Sequence, residues 1–142
     1  MASWDLNTPA KCDQVIANIL SGNINAVYIQ IRSRGDAFYF PNRSDSTYPN
    51  PEPRGQTYAL SPSDFDPLQY FIDRLHAASP RREVHAWVTT YNCWNRSSAP
   101  ASAAHVYRAH PEWITETKGG ITLSYGTEYA TGKTVDDSPL DP

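Results

Sequence analysis

The chain has 142 residues, 39% hydrophobic and 12% aromatic, which is enough for one globular core and short for the larger enzyme architectures. Its 12 Lys and Arg against 15 Asp and Glu leave a net charge of -3, so no basic field exists to hold a nucleic-acid backbone. No apolar run reaches the ~18 residues a membrane-spanning helix needs, and residues 1–10 lack the basic-then-apolar layout of a signal peptide.

Residues 2–5, Ala-Ser-Trp-Asp, read as the end of a strand. Thr8 and Pro9 then start a helix, because a hydroxyl at the N-cap precedes a proline whose missing N–H costs nothing at the first helical position. Cys12, Val15, Ile16, Ile19 and Leu20 recur at the helical period, and Gly22 supplies the stop. Residues 26–32 follow as a strand rich in β-branched side chains.

Residues 33–63 carry Pro41, Pro49, Pro51, Pro53 and Pro62, too many for a helix or an inner strand. The same tract holds Phe38, Tyr39, Phe40, Tyr48 and Tyr58, and a long aromatic-rich loop inside a compact domain is more often functional than slack. Asp66 and Pro67 repeat the capping device, and Leu68, Phe71, Ile72 and Leu75 form a helical stripe that Pro80 closes. A second strand is expected over 83–90, a short helix within 98–109 and a hairpin over 118–133, with a tail from 135 that contains no packing element. The cysteines, Cys12 on a helix face and Cys93 in a distant loop, fit neither a bridge nor a zinc site, and His76, His105 and His110 share no ligand spacing, so no metal or other cofactor is expected.

Helix, strand, loop, helix, strand is the order of an α/β protein with a parallel sheet. Along the first strand Val27, Ile29 and Ile31 point one way and Tyr28, Gln30 and Arg32 the other; along the second, Val84, Ala86 and Val88 oppose His85, Trp87 and Thr89. Inner strands of a doubly wound sheet are apolar on both faces, whereas a closed parallel barrel accepts aliphatics under its helices and polar groups inward. The barrel reading puts Arg32, Arg34, Asp36 and Tyr39 on the first loop of the active face. Arg34 and Asp36 also suit a solvated turn around Gly35, and Arg34-Gly35-Asp36 spells the integrin-recognition tripeptide, a match too short to carry weight. A lone His85 would suit a core, but it shares its face with Trp87 and Thr89 below a rim of Tyr91, Asn92 and Trp94. Aromatic platforms beside planar polar groups are the composition of a sugar site.

The blocks NINAVYIQIRSRGDAFY, DPLQYFIDRLH, EVHAWVTTYN and HPEW, in that order, resemble the glycosyl hydrolase-like 10 family of bacterial glycosidases. The resemblance implies a TIM-type (β/α)8 barrel that hydrolyses polysaccharide or peptidoglycan glycan, outside the cytoplasm at the cell envelope, in the periplasm or after secretion. A whole barrel takes about 250 residues, so residues 1–142 are expected to form a single partial domain, the first three or so βα units of a truncated barrel. Its open sheet edge would invite association. Ser79-Pro80-Arg81-Arg82 departs from the family's basic residue and glycine before the Glu-Val-His-Ala-Trp block, and the tract after Tyr39 is richer in tyrosine and proline than the family's. Asp36 is the candidate for acid/base work. Trp4, Asp5, Arg32, Arg34, Tyr39, His85, Trp87, Tyr91 and Asn92 are the candidates for binding an oligosaccharide or polysaccharide. The alternative is a carbohydrate-binding module without catalysis.

Overall fold

The computed structural model of the protein describes residues 6–40, 52–94, 96, 98–114 and 130–131. Trp4, Asp5, most of the expected 118–133 hairpin and the tail lie outside them.

Helix α1 spans Pro9–Ser21, with the Thr8 hydroxyl accepting from the Lys11 N–H at 3.3 Å. Its end differs in detail from the sequence reading. Gly22 has an ordinary φ of -79°, and Asn23 takes the left-handed conformation at φ 50°. Asparagine tolerates that region because its short amide bonds locally. Strand β1 (Ala26–Arg32) follows, then the long loop, then α2 (Pro67–His76), capped by Asp66 accepting from the Gln69 N–H at 3.0 Å. The other Asp66 oxygen accepts from the Phe40 N–H at 3.0 Å, so the cap also anchors the loop that leaves β1.

Strand β2 (Glu83–Val88) pairs with β1 in parallel, with Val27 opposite Val84 and Tyr28 opposite His85. The alternation therefore matches across the pair. The register shifts between Gln30 and Arg32, yet Gln30 still reaches the Thr89 hydroxyl at 3.1 Å. Ile16 and Ile19 of α1, Val27, Ile29 and Ile31 of β1, and Phe71 and Leu75 of α2 form one buried cluster, so both helices cover the same face of the sheet. Tyr28 stacks on His85 on the opposite, open face, with ring centroids 4.9 Å apart.

One expectation is corrected here. Val84, Ala86 and Val88 were to lie under helices, but only Val84 packs on the core, and Ala86 and Val88 are exposed. Among the described residues no strand pairs with the far edge of β2. The expected strand over 83–90 instead breaks after Val88 and resumes as β3 (Asn92–Trp94), paired antiparallel with β4 (Ala130–Thr131). The expected helix within 98–109 is a single turn, α3 (Val106–Ala109), followed by a 3-10 turn at Pro111–Trp113. Val106 and Tyr107 pack with Cys93, Trp94 and Ile114 in a second, smaller core. Both cysteines are free.

The start of β2 is tied to the α1–β1 turn by Arg82. It is buried and donates to Asn25 Oδ1 at 3.1 Å and Asn23 Oδ1 at 2.9 Å. The unusual Pro-Arg-Arg turn thus supplies a bridge rather than a loose connection.

Candidate functional site

Side chains at the carboxyl ends of parallel strands face the place where α/β proteins build their sites. Here the loops after β1 and β2 enclose a cleft of about 770 Å³, lined by Arg32, Glu52, Thr90, Tyr91, Cys93, Ala104, Val106, Ala109, His110, Glu112 and Trp113.

Arg32 forms its fixed wall. Its Nε donates to both Glu52 oxygens at 2.6 and 2.8 Å, a terminal nitrogen meets Glu52 Oε1 at 2.5 Å, and the other donates to the carbonyls of Thr89 and Thr90. A planar guanidinium suits that task because its donors leave in a rigid fork. The ends of β1 and β2 and the proline-rich loop are thereby held by one side chain. Burial raises the pKa of the Cys93 thiol above its ordinary value, so it faces the cleft as a neutral group.

The loop itself is organised by two further residues. Arg54 donates to the carbonyls of Tyr39, Ser63 and Phe65 at 2.9, 3.2 and 2.5 Å, and its guanidinium lies 3.6 Å from the Phe40 ring centroid. Asp36 is fully buried, and its Oδ2 accepts from the Thr57 N–H at 2.7 Å. Its Oδ1 has no hydrogen-bond partner among the described residues.

The opposite rim comes from α3 and the 3-10 turn. His105 is fully buried; its Nε2 donates to the Arg34 carbonyl at 2.7 Å, and its Nδ1 accepts from the Tyr107 N–H at 3.1 Å. Those two bonds specify the neutral ring with the proton on Nε2. Burial lowers the His105 pKa from its ordinary value, opposed by the Arg34 carbonyl and by Asp36 and Glu52 nearby. Gly35 packs directly on this ring at φ 67°, which explains why the loop has glycine there.

At the mouth His110 stacks on Trp113, with centroids 3.7 Å apart and planes 6° from parallel, and its Nδ1 lies 3.0 Å from Glu112 Oε1. The Glu112 backbone N–H and His110 both pull the Glu112 carboxyl below its ordinary range. Tyr91 and Trp113 are each more than half exposed, at 58% and 53%.

Of the residues singled out in the sequence, Arg32 and Tyr91 line this cleft. Tyr39 is partly buried against the main core, and burial together with Glu52 nearby raises its phenol pKa. Asn92 is in β3 with its Oδ1 buried and without a partner among the described residues. Arg34 contributes its carbonyl to His105, while Asp36 lies beneath the loop. His85 and Trp87 stand on the open face of the sheet, where His85 pairs with Glu83 at 3.0 Å. Glu52, Cys93, His110, Glu112 and Trp113 were not singled out as site residues. For the last three the HPEW box was the available signal; Glu52 sits among prolines with no periodic pattern to mark it.

No curated protein matches the chain. The Glycosyl hydrolase-like 10 family profile matches residues 1–142, its whole length, and the chain belongs to that family.

Proposed function

We propose that the protein is a glycoside hydrolase acting on polysaccharide or peptidoglycan glycan at the cell envelope, in the periplasm or after secretion, and that the cleft beyond β1 and β2 holds the saccharide. The observation that carries this reading is the cleft's composition: exposed Tyr91 and Trp113 beside the carboxylates of Glu52 and Glu112. Aromatic faces take the apolar faces of sugar rings and carboxylates take their hydroxyls. The family supports a carbohydrate-directed role. Two helices on one face of a parallel pair, with polar side chains on the other, support a TIM-type barrel of which these residues form the first βα units. Arg32 and Tyr91 then contact substrate, and Asp36 positions the loop through Thr57, with Oδ1 as its one atom left for acid/base work.

One observation favours a second reading, saccharide binding without hydrolysis. A general acid must hold a proton near neutral pH, and of the two carboxylates lining the cleft Glu112 is shifted the opposite way while Glu52 is tied into an ion pair with Arg32. The test is release of reducing ends from denuded peptidoglycan strands and neutral polysaccharides by the full-length protein, beside Trp113→Ala. Release that falls in the variant supports hydrolysis, binding without release supports the second reading, and neither binding nor release refutes both.

A further inference from the structure

The charge on the cleft is distributed unevenly. Arg32, the cation in its wall, is engaged at every nitrogen by Glu52 and by the carbonyls of Thr89 and Thr90, so it has little left to offer an arriving anion. Glu112 stands at the mouth with its side chain 62% exposed, where it meets His110 and its own backbone N–H. Beside it Trp113 carries His110 on one face of its indole and is still about half exposed, and Tyr91 presents a phenol on the same cleft. Carboxylate plus aromatic faces is the chemistry that receives an ammonium group, by ion pairing and by attraction to the ring quadrupole. It is also the chemistry that disfavours a uronate.

We infer that the Glu112–Trp113 rim is a subsite for a hexosamine bearing a free ammonium group, so that the cleft prefers de-N-acetylated amino-sugar oligomers to N-acetylated or acidic ones. The inference rests on the reading of the cleft as a saccharide site and adds that, within polysaccharide or peptidoglycan glycan, strands with de-N-acetylated amino sugars are preferred. An exposed ion pair and a cation–π contact are each modest, and together correspond to a preference of about fivefold.

The experiment is calorimetric titration of the full-length protein with three probes: a glucosamine tetramer, its N-acetylated counterpart and a galacturonic acid tetramer. The glucosamine tetramer is expected to bind about fivefold more tightly than the N-acetylated one, and the uronate weakest. Glu112→Gln keeps the side chain's shape and should abolish the preference, bringing the affinities for the glucosamine and N-acetylated tetramers together. Asp73→Asn removes an exposed carboxylate of α2 that is not among the residues lining the cleft, and should leave the preference intact. Equal affinities in the unsubstituted protein, a preference that survives Glu112→Gln, or one abolished equally by Asp73→Asn would overturn the inference while the saccharide reading stood. Failure of all three probes to bind would overturn both.

Discussion

Gly35→Ala tests the coupling between the loop after β1 and the rim of the cleft. Two separate costs arise. At φ 67° an alanine occupies the left-handed region, which disfavours a side chain by about 1–2 kcal/mol. The new methyl would also come 2.8 Å from Val106 Cγ1 and 3.0 and 3.1 Å from His105 Cε1 and Nε2. Overpacking of that kind costs about 1–3 kcal/mol, so the total is about 2–5 kcal/mol. The costs separate in a double-mutant cycle, because Val106→Ala relieves the clash with Cγ1 and leaves the backbone conformation as it is. In that background Gly35→Ala should cost at least about 0.5 kcal/mol less, the coupling seen between residues in contact. Urea denaturation of the full-length protein, followed by tryptophan fluorescence, supplies all four stabilities. Trp94 is a suitable reporter because it lies edge-on to His105 at 5.0 Å. A single-variant cost under about 0.5 kcal/mol, or a cycle with no coupling, would refute the placement of Gly35 against α3.

Further predictions concern the same neighbourhood. His105 has a folded pKa below its ordinary 6.5, so the unfolded chain takes up the proton first on acidification. Stability is whole above about 6.5 and drains as pH falls from there toward the folded value; urea midpoints at pH 7.5 and 5.5 should separate more in the parent than in His105→Asn, and equal separations would refute this. Arg32→Lys keeps the charge but loses the fork, and should cost about 1.5–3 kcal/mol in denaturation; an unchanged midpoint would show that the Glu52 pair contributes nothing. Asp36→Asn retains an oxygen for the Thr57 N–H and should hardly change stability, whereas Asp36→Ala should lose about 1–3 kcal/mol; in turnover assays Asp36→Asn should be slower than the parent, and unchanged rates would leave Asp36 with positioning alone.

Local signals explain what was legible in the sequence. Thr8-Pro9 and Asp66-Pro67 each satisfy orphan helix donors within four residues, so both helix starts stand where their caps put them. Period-two alternation gave the pairing face of β1 and β2, because one side had to meet the helices. The break after Val88 and the short β3–β4 pair depend on a partner far along the chain, which no window of sequence contains. The site was only partly legible for the same reason. Arg32 was visible as a charge at a strand end, but its partner Glu52 is twenty residues away in a tract without periodicity. Asp36 looked like rim chemistry because it follows the end of β1, where a barrel places the first loop of its active face; the buried contact with Thr57 is long-range and leaves no local trace.

Arg32 has a consequence for the thermodynamics of recognition. Its hydrogen bonds to Glu52 and to the Thr89 and Thr90 carbonyls exist before any ligand arrives. A wall assembled in advance pays its ordering entropy during folding, so that loss is not charged again at each encounter. Ligands reaching this side of the cleft should therefore bind with a small entropic penalty, and variants that loosen Arg32 should weaken affinity chiefly through a less favourable binding entropy.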